Sequence, residues 1–441
     1  MVASIEVSAI RKVGVRLIPF LAVLYFAAFI DRVNISFAAA GMNHDLGFSP
    51  YVYGLGAGIF FAGYVLLEAP SNLILHRVGA RRWIARIMVT WALVAGAMAF
   101  VKNANSFYLV RFLLGVAEAG FFPGVIYYLT QWVPAARRAQ LIGLFMTAIP
   151  ISTALGGPIS SAVLQLNGLF GLAGWQWLFL TETVPSLILG IAVLVYLPDR
   201  PADAKWLSAD EKAWLARALD AEAADRRARY GSGVAKMLTD PRVLMLCLAY
   251  FGVEIGLYGV IFWLPQILKS TGAAEWAVGY LVAIPYGFAA LAMVWWCRHS
   301  DRAKERVWHI AAASLVGSFG LAGSAFLAHS SGNLAPVLSV AAITFSAVGT
   351  LAILPIFWTL PAATLNGAAA AGGIAVINAV GNIGGFIGPF AIGWIKDATG
   401  DFTYGLLALA GGVLLTGIVT LAIGHDCAAE RAGADAPGVA A

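Results

Sequence analysis

Long apolar stretches separated by short polar connections dominate the pattern of this 441-residue chain. A helix needs about 20 apolar residues to cross a bilayer, and these stretches approach or exceed that length while being apolar on nearly all faces. The pattern predicts an all-α integral membrane protein with twelve transmembrane helices, which we call spans 1 to 12. They are predicted near residues 17–40, 51–75, 83–101, 107–131, 140–165, 175–197, 242–268, 276–297, 307–328, 335–358, 367–395 and 402–424.

The first stretch has some features of a cleavable secretion signal. It follows a basic segment at 11–16 and ends in small residues at 38–41. Asp31 and Arg32 interrupt it, however, and eleven further stretches follow. We therefore interpret it as a retained first span.

Composition agrees with this picture and excludes other classes. Hydrophobic residues make up 60% of the chain and charged residues only 12%, whereas ordinary soluble domains are about 25% charged. The 3 Cys predict neither a disulfide framework nor a metal site. Of the 28 Lys and Arg, 22 fall on the side of the N-terminus, 3 fall on the opposite side and 3 lie within spans. This bias predicts a multi-pass protein with both termini cytoplasmic, and it accounts for the net charge of +5 without nucleic acid as a partner.

One long polar stretch divides the chain in two. It predicts an N-terminal six-helix bundle at 1–197, a cytoplasmic central loop at 198–241, and a C-terminal six-helix bundle with a cytoplasmic tail at 242–441. Ser208 and Glu211 have the spacing of a capping box. The stretch is therefore expected to contain a short amphipathic helix on the cytoplasmic membrane surface, with regulation or partner docking as the alternative.

The two halves show signs of internal duplication. The segment 77–83 after span 2 corresponds to 302–308 after span 8, and Gly157-Pro158 in span 5 corresponds to Gly388-Pro389 in span 11. Offsets close to half the chain length are typical of transporters with internal repeats. Two such bundles could rock about a site at their interface.

Seven ionisable residues lie at predicted membrane depth, where a charge is costly and a functional role is the first hypothesis. Arg111 and Glu118, seven residues apart, share one face of span 4, and Asp31 and Arg32 lie at a similar depth in span 1. We expect these four to form one buried cluster, with static ion pairs as the alternative. The remaining three are Glu68, Glu182 and Glu254. Static ion pairs are preferred for Glu68 and Glu182, whereas Glu254 is left open.

The charges of this cluster suggest a mechanism. With Asp31 and Glu118 ionised, both arginines are neutralised, whereas protonation of the acids leaves a cationic pocket suited to a carboxylate. Proton and anion binding would then favour each other, as in proton–anion symport. Glu254 could be a second proton site or a neutral acid held by backbone groups. Neutral groups at middle depth that could complete a substrate pocket are Tyr64, Tyr258, Trp358 and Asn378.

Several motifs resemble the anion:cation symporter family of the major facilitator superfamily. The main one is the span 4 segment 111–124, RFLLGVAEAGFFPG, and similar motifs occur at Asp31-Arg32, 63–72, 177–182 and 256–266. The resemblance implies the major facilitator fold, a bacterial inner-membrane location, and alternating access without a cofactor other than the proton gradient. It further implies that Asp31 and Glu118 couple protons, that Arg32 binds substrate, that Arg111 tunes Glu118, and that Tyr64 and Asn378 contact a sugar acid.

The expected partners are a small organic anion, a proton and membrane lipid, with the protein acting as a monomer. A sugar acid or hydroxy-dicarboxylate such as tartrate, galactonate or rhamnonate is preferred as substrate. An aromatic-acid symporter of the phthalate or hydroxyphenylacetate type, or a drug/proton antiporter, is the alternative. An enzyme is not expected, because none of the 6 His lies well inside a span. Two departures from the family pattern are His76, where an Asp is usual, and Glu254.

Overall fold

A computed structural model describes residues 2–229, 240–327, 335–364 and 368–424, and every regular element in those residues is helical. The predicted tail with Arg431 and Cys427 lies outside them. The α-helices are Val2–Leu46, Pro50–Val78, Ala80–Ala97, Ala104–Glu118, Phe121–Thr130, Ala135–Met146, Ala148–Leu164, Gly174–Tyr196, Ala209–Arg229, Pro241–Ser270, Glu275–Ala303, Val307–Leu327, Ala335–Phe357, Thr359–Thr364, Ala368–Thr399 and Thr403–Ile423. Short 3-10 turns lie at Met98–Phe100, Leu169–Gly171 and Pro201–Asp203.

Within the described residues, twelve helical segments are long and apolar enough to cross a membrane, which confirms the predicted fold class. We call the side on which span 1 begins proximal and the opposite side distal. The twelve spans are Ile5–Leu46, Pro50–Leu75, Ala80–Phe100, Ala104–Thr130, Leu141–Leu164, Gly174–Tyr196, Pro241–Ser270, Trp276–Ala303, Val307–Leu327, Val337–Pro361, Val376–Thr399 and Thr403–Ile423.

Span 4 is not the single helix that its apolar run predicts. It breaks between Glu118 and Phe121, because Gly120 adopts φ 88, a left-handed conformation that favours glycine. The hydroxyl of Ser71 in span 2 donates to the carbonyl of Ala119 at 2.7 Å. This bond satisfies a carbonyl at the break, and a Cβ on Gly120 would lie 2.3 Å from the same hydroxyl.

Glycines bring the two halves into backbone contact near the distal side. In spans 5 and 8, a Cβ on Gly157 would lie 2.3 Å from the carbonyl oxygen of Gly279. In spans 2 and 11, a Cβ on Gly54 would lie 2.7 Å from the carbonyl oxygen of Pro389. Small residues permit such close helix approach, and the paired contacts close the distal end of the interface between the halves.

The central helix Ala209–Arg229 packs on the proximal end of span 1. The predicted capping box is present, because the Ser208 N–H donates to Glu211 at 2.8 Å and the Glu211 N–H donates to the Ser208 hydroxyl at 3.3 Å. Ser8 and Lys12 of span 1 also donate to Glu211, at 2.7 and 2.9 Å. Desolvation opposes the charged form of Glu211, but these hydrogen bonds outweigh it and lower the pKa to about 2. The first turns of span 1, which precede its apolar core, therefore hold the central helix.

Candidate functional site

A central cavity lies between the halves and collects most of the predicted site residues. Arg32, Tyr64, Glu254, Tyr258 and Trp358 line it together with Asn378. Its other lining residues were not singled out from the sequence, and they are Tyr25, Phe29, Phe122, Met146, Ile149, Tyr250, Leu257, Leu354 and Asn382.

Helical spacing is the signal that could have identified some of these additional residues. Asn382 lies one turn after Asn378, and Tyr250 lies one turn before Glu254. Residues four apart share a helix face. When one residue of a helix is known to line the cavity, the residues one turn before and after it are therefore predicted to line it as well.

Arg32 is the centre of the site. Its Nη2 forms an ion pair with Glu118 of span 4, and its Nη1 donates to the Tyr258 hydroxyl of span 7 at 3.0 Å. The guanidinium carbon lies 5.3 Å from the ring centre of Phe60 and 5.5 Å from that of Tyr64. Each terminal nitrogen thus has one partner, whereas Nε is buried without any. Arg32 thus contacts both halves of the molecule and offers an unused donor.

Asp31 faces away from Arg32, so the structure divides the predicted four-residue cluster. Consecutive helix residues point about 100° apart. The Asp31 carboxylate accepts from Trp91 Nε1 at 2.9 Å and from the Ser186 hydroxyl at 2.5 Å, both within the first half. Its Oδ1 is buried without a partner. Asp31 is therefore a buried acid behind span 1 and does not line the cavity.

Arg111 also lies outside the cavity, which removes it from the substrate site that we describe. Its side chain is 1% exposed and donates to the backbone carbonyls of Gly56 at 3.1 Å and Ala57 at 3.2 Å in span 2. The seven residues that separate it from Glu118 correspond to about 10 Å along the helix. At that separation span 2 is the nearer partner, because glycines such as Gly115 bring spans 2 and 4 together.

Two further acids have neutral partners. Glu68 accepts from Asn378 Nδ2 at 2.6 Å across the interface between the halves, and Asn382 Nδ2 donates to the Asn378 carbonyl at 3.0 Å. Glu182 accepts from the Ser160 hydroxyl at 3.2 Å. One carboxylate oxygen of each acid is buried without a partner. The hypothesis preferred from the sequence for both acids is a static salt bridge. Within the described part of the chain, however, neither acid has a basic partner.

Glu254 faces the cavity from span 7. Its side chain is 3% exposed, and no lysine or arginine within the described ranges forms an ion pair with it. Tyr250 lies one turn away and packs edge-on against Trp358, with ring centres 4.9 Å apart. The second half thus contributes an acid, aromatic faces and amides to the cavity, while the one guanidinium among the described lining residues comes from the first half.

No group of three or more His, Cys, Asp or Glu that could hold a metal ion occurs among the described residues.

Comparison with known proteins gives consistent matches. The family model described as Major Facilitator Superfamily matches residues 21–389. A "Putative tartrate transporter" from Agrobacterium vitis is 53% identical over 379 residues, which cover 86% of this chain and 83% of the relative. A "Quinolone resistance transporter" from Acinetobacter baumannii is 41% identical and covers 86% of each chain. The partially occluded inward open xylose transporter XylE from E. coli aligns with a TM-score of 0.70 at 16% identity, over 94% of this chain and 99% of that one.

Proposed function

The chain belongs to the Major Facilitator Superfamily, whose members are transporters and not enzymes, and from this premise we propose that it is a proton-coupled symporter of a small organic anion. The preferred substrate is a sugar acid or a hydroxy-dicarboxylate such as tartrate. The name of the relative at 53% identity supports the second of these. The resemblance between this chain and anion:cation symporters in the motif 111–124 supports the class.

The observation that carries the proposal is the position of Arg32. Among the described residues that line the cavity, it is the single basic side chain. A guanidinium can hold a carboxylate through two parallel hydrogen bonds. Its unused Nε and its contact with Tyr258 place these donors at the interface between the halves, where a bound anion would interact with both.

Glu118 is the proposed proton site. While it is ionised, it competes with a substrate carboxylate for the guanidinium of Arg32. Protonation of Glu118 removes that competitor and leaves a cationic site. Binding of the anion and of the proton must then favour each other, because coupling between two sites is reciprocal. Asp31 and Glu254 are proposed as additional proton sites, Asp31 behind span 1 and Glu254 at the cavity wall.

The cavity favours an anion with one strongly bound carboxylate and several hydroxyls. Arg111 does not reach it, so a second carboxylate would have to be bound by neutral donors or by a protonated Glu254. The side-chain amides of Asn378 and Asn382 and the hydroxyls of Tyr64 and Tyr258 can bond sugar hydroxyls. A monocarboxylate sugar acid, or a dicarboxylate carried with an additional proton, satisfies this arrangement.

Transport requires the halves at 1–197 and 242–441 to move relative to each other. The glycine contacts close the distal end in the present arrangement. Nearer the proximal side, the Glu68–Asn378 hydrogen bond joins spans 2 and 11, and it must break when that end of the interface opens. We propose an inner-membrane location with both termini cytoplasmic, function as a monomer, and no cofactor beyond the proton gradient.

An aromatic acid is the second candidate substrate. Seven aromatic side chains line the cavity: Tyr25, Phe29, Tyr64, Phe122, Tyr250, Tyr258 and Trp358. They could pack on an aromatic ring while Arg32 binds its carboxylate. The two candidates differ in what the neutral part of the ligand contacts, either the amides of span 11 or the aromatic faces.

A ligand panel tests these proposals. Purified protein is heated with tartrate, galactonate, rhamnonate, phthalate and hydroxyphenylacetate, since a ligand that binds the folded state raises its apparent stability. Active compounds are then assayed for uptake into proteoliposomes with an imposed pH gradient. We expect stabilisation by sugar acids or tartrate and accumulation that collapses with the gradient. Stabilisation by the aromatic acids alone would make aromatic acids the substrate class in place of sugar acids and tartrate. Uptake that does not depend on the gradient would refute proton coupling.

A further inference from the structure

A groove of about 350 Å³ on the outer face of span 8 is not used by the transport mechanism proposed above. Leu291, Val294 and Trp295 form one part of it, and Arg298, His299 and Arg302 form the other. Most of these positions recur every three or four residues, so they follow one face of the helix. The apolar residues of the groove lie deeper in the span than the basic ones.

Exposure within a membrane span indicates that the groove faces lipid. Leu291 is 72% exposed and Trp295 is 63% exposed, although both lie within a membrane span. Arg298 precedes the last residue of the span, Ala303, by about 8 Å of helix. The headgroup layer adds roughly 5–8 Å on each side of the hydrocarbon core. The basic part of the groove therefore lies at headgroup depth and the apolar part at acyl-chain depth.

The basic residues are available for an anion. Neither Arg298 nor Arg302 has a hydrogen bond or ion pair with another residue in the described ranges. They are one turn apart, so both guanidinium groups can approach one phosphate. Tryptophans commonly lie at the membrane interface, and Trp295 and Trp308 are exposed here.

His299 is held in place by a chain of hydrogen bonds. Its Nδ1 lies 2.8 Å from Nε2 of His309, and Nδ1 of His309 lies 2.6 Å from the Glu305 carboxylate. The ring also stacks on Trp296, with centres 5.6 Å apart and planes at 8°. Because a carboxylate only accepts, Glu305 fixes the proton of His309 on Nδ1. Nε2 of His309 then accepts from the Nδ1–H of His299, so Nε2 of His299 is left for the groove and donates to an anion there when the ring carries its second proton.

We propose that this groove binds an anionic phospholipid, with the phosphate on Arg298, Arg302 and His299 and an acyl chain along Leu291 and Val294. The complementary charge and the matching depth of the two parts favour this occupant. Basic pockets near one membrane surface are known to bind anionic headgroups. The groove lies away from the cavity, so the proposal does not depend on the transported substrate.

The test compares lipids added to the full-length purified protein. Phosphatidylglycerol and phosphatidylcholine with identical acyl chains are titrated during thermal unfolding, and lipid retained by the protein is measured by native mass spectrometry. Glycerol 3-phosphate provides the free-phosphate arm. We expect phosphatidylglycerol to stabilise the protein and be retained, phosphatidylcholine to have a much smaller effect, and glycerol 3-phosphate to have none.

Variants then locate the site. Arg298→Gln/Arg302→Gln should lose most of the shift caused by phosphatidylglycerol, and His299→Ala should lose part of it. Arg77→Gln/Arg82→Gln removes two exposed arginines from the same side of the first half, and it should behave like wild type. An equal shift with phosphatidylcholine, a glycerol 3-phosphate shift that Arg298→Gln/Arg302→Gln removes, or a full phosphatidylglycerol shift in Arg298→Gln/Arg302→Gln would overturn the proposal.

Discussion

The membrane interiors of the two halves differ in charge although their helices correspond. Among the described residues, the first six spans contain six buried acids and arginines, and the last six contain one. The six are Asp31, Arg32, Glu68, Arg111, Glu118 and Glu182, and the one is Glu254. The second half instead presents phenol, indole and amide groups to the cavity. Both halves thus line one cavity while the buried charges are concentrated in the first.

The proximal connections show the opposite case, in which the same interaction is kept by different residues. At the proximal end of span 8, Asp301 pairs with Arg306 of the following connection at 2.6 Å. At the corresponding place after span 2, His76 occupies the position of the acid. Arg81 there pairs with Asp199, from the connection after span 6, at 3.1 Å. The acid missing from the local motif is therefore supplied by a different segment, so this departure does not remove the ion pair.

The largest expected effect is that of Arg32→Ala. The change removes the one guanidinium at the cavity and leaves Glu118 buried without its partner, which costs about 3–5 kcal/mol in typical proteins. Substrate-induced thermal stabilisation and uptake should both be abolished. Arg32→Lys keeps the charge but not the fork geometry, so it should retain the fold with weaker binding. Normal uptake by Arg32→Ala would show that the charged half is not where substrate binds.

Glu118→Gln should separate exchange from proton coupling. A neutral amide mimics the protonated acid, so Arg32 stays available to substrate while proton release is lost. Counterflow should remain within about threefold of wild type, which corresponds to under 1 kcal/mol, whereas accumulation driven by a pH gradient should fall to the level reached without a gradient. Uphill uptake that persists in this variant would exclude Glu118 as the coupling acid.

Glu254→Gln tests whether the single buried acid of the second half takes part in coupling. If Glu254 exchanges a proton during transport, its neutral replacement should change the pH profile of uptake several-fold at one end, with a smaller effect on counterflow at a fixed pH. Leu257→Ala provides the control, since it alters the same cavity wall one turn along span 7 without removing an acid or a hydrogen-bonding group. A pH profile identical to that of wild type would leave coupling entirely to the first half.

Arg111→Gln should affect stability more than transport. The variant loses donors to two buried carbonyls of span 2, and an unsatisfied buried acceptor costs about 1–3 kcal/mol. The substrate concentration for half-maximal uptake should change by less than about threefold, which corresponds to under 1 kcal/mol. Thermal unfolding and uptake kinetics check the two parts. A large loss of affinity in a stably folded variant would return Arg111 to the substrate site.

The contrast between Arg32 and Arg111 also shows what the sequence can and cannot predict. Hydropathy gives the twelve spans and the depth of each charge, because both depend on distance along one helix. It does not give the direction in which a side chain points once helices pack. Asp31 and Arg32 share a depth but diverge in direction, and the carbonyl of Ala119 at the break in span 4 accepts from Ser71 of another span. The Glu68–Asn378 contact joins residues 310 positions apart. It depends on how the helices pack, which spacing along the chain does not predict.

The smallest expected effect concerns the central helix, which is fastened to the first half through Glu211. Glu211→Gln weakens the contact with Lys12 and the capping box, so we expect it to destabilise the central helix by about 1 kcal/mol. Transport should change little. The native pKa of about 2 lies below the ordinary 4.5, so this contribution is present above pH 4.5 and is lost as pH falls towards 2. In hydrogen exchange, the protection factors of residues 209–221, which correct for the pH dependence of exchange in an unfolded chain, should fall in that acid range in wild type and stay constant there in Glu211→Gln. Asp210→Asn removes an exposed charge from the same turn and should keep the wild-type pH dependence. If it abolishes that dependence as well, net charge and not the Lys12 contact holds the helix to span 1.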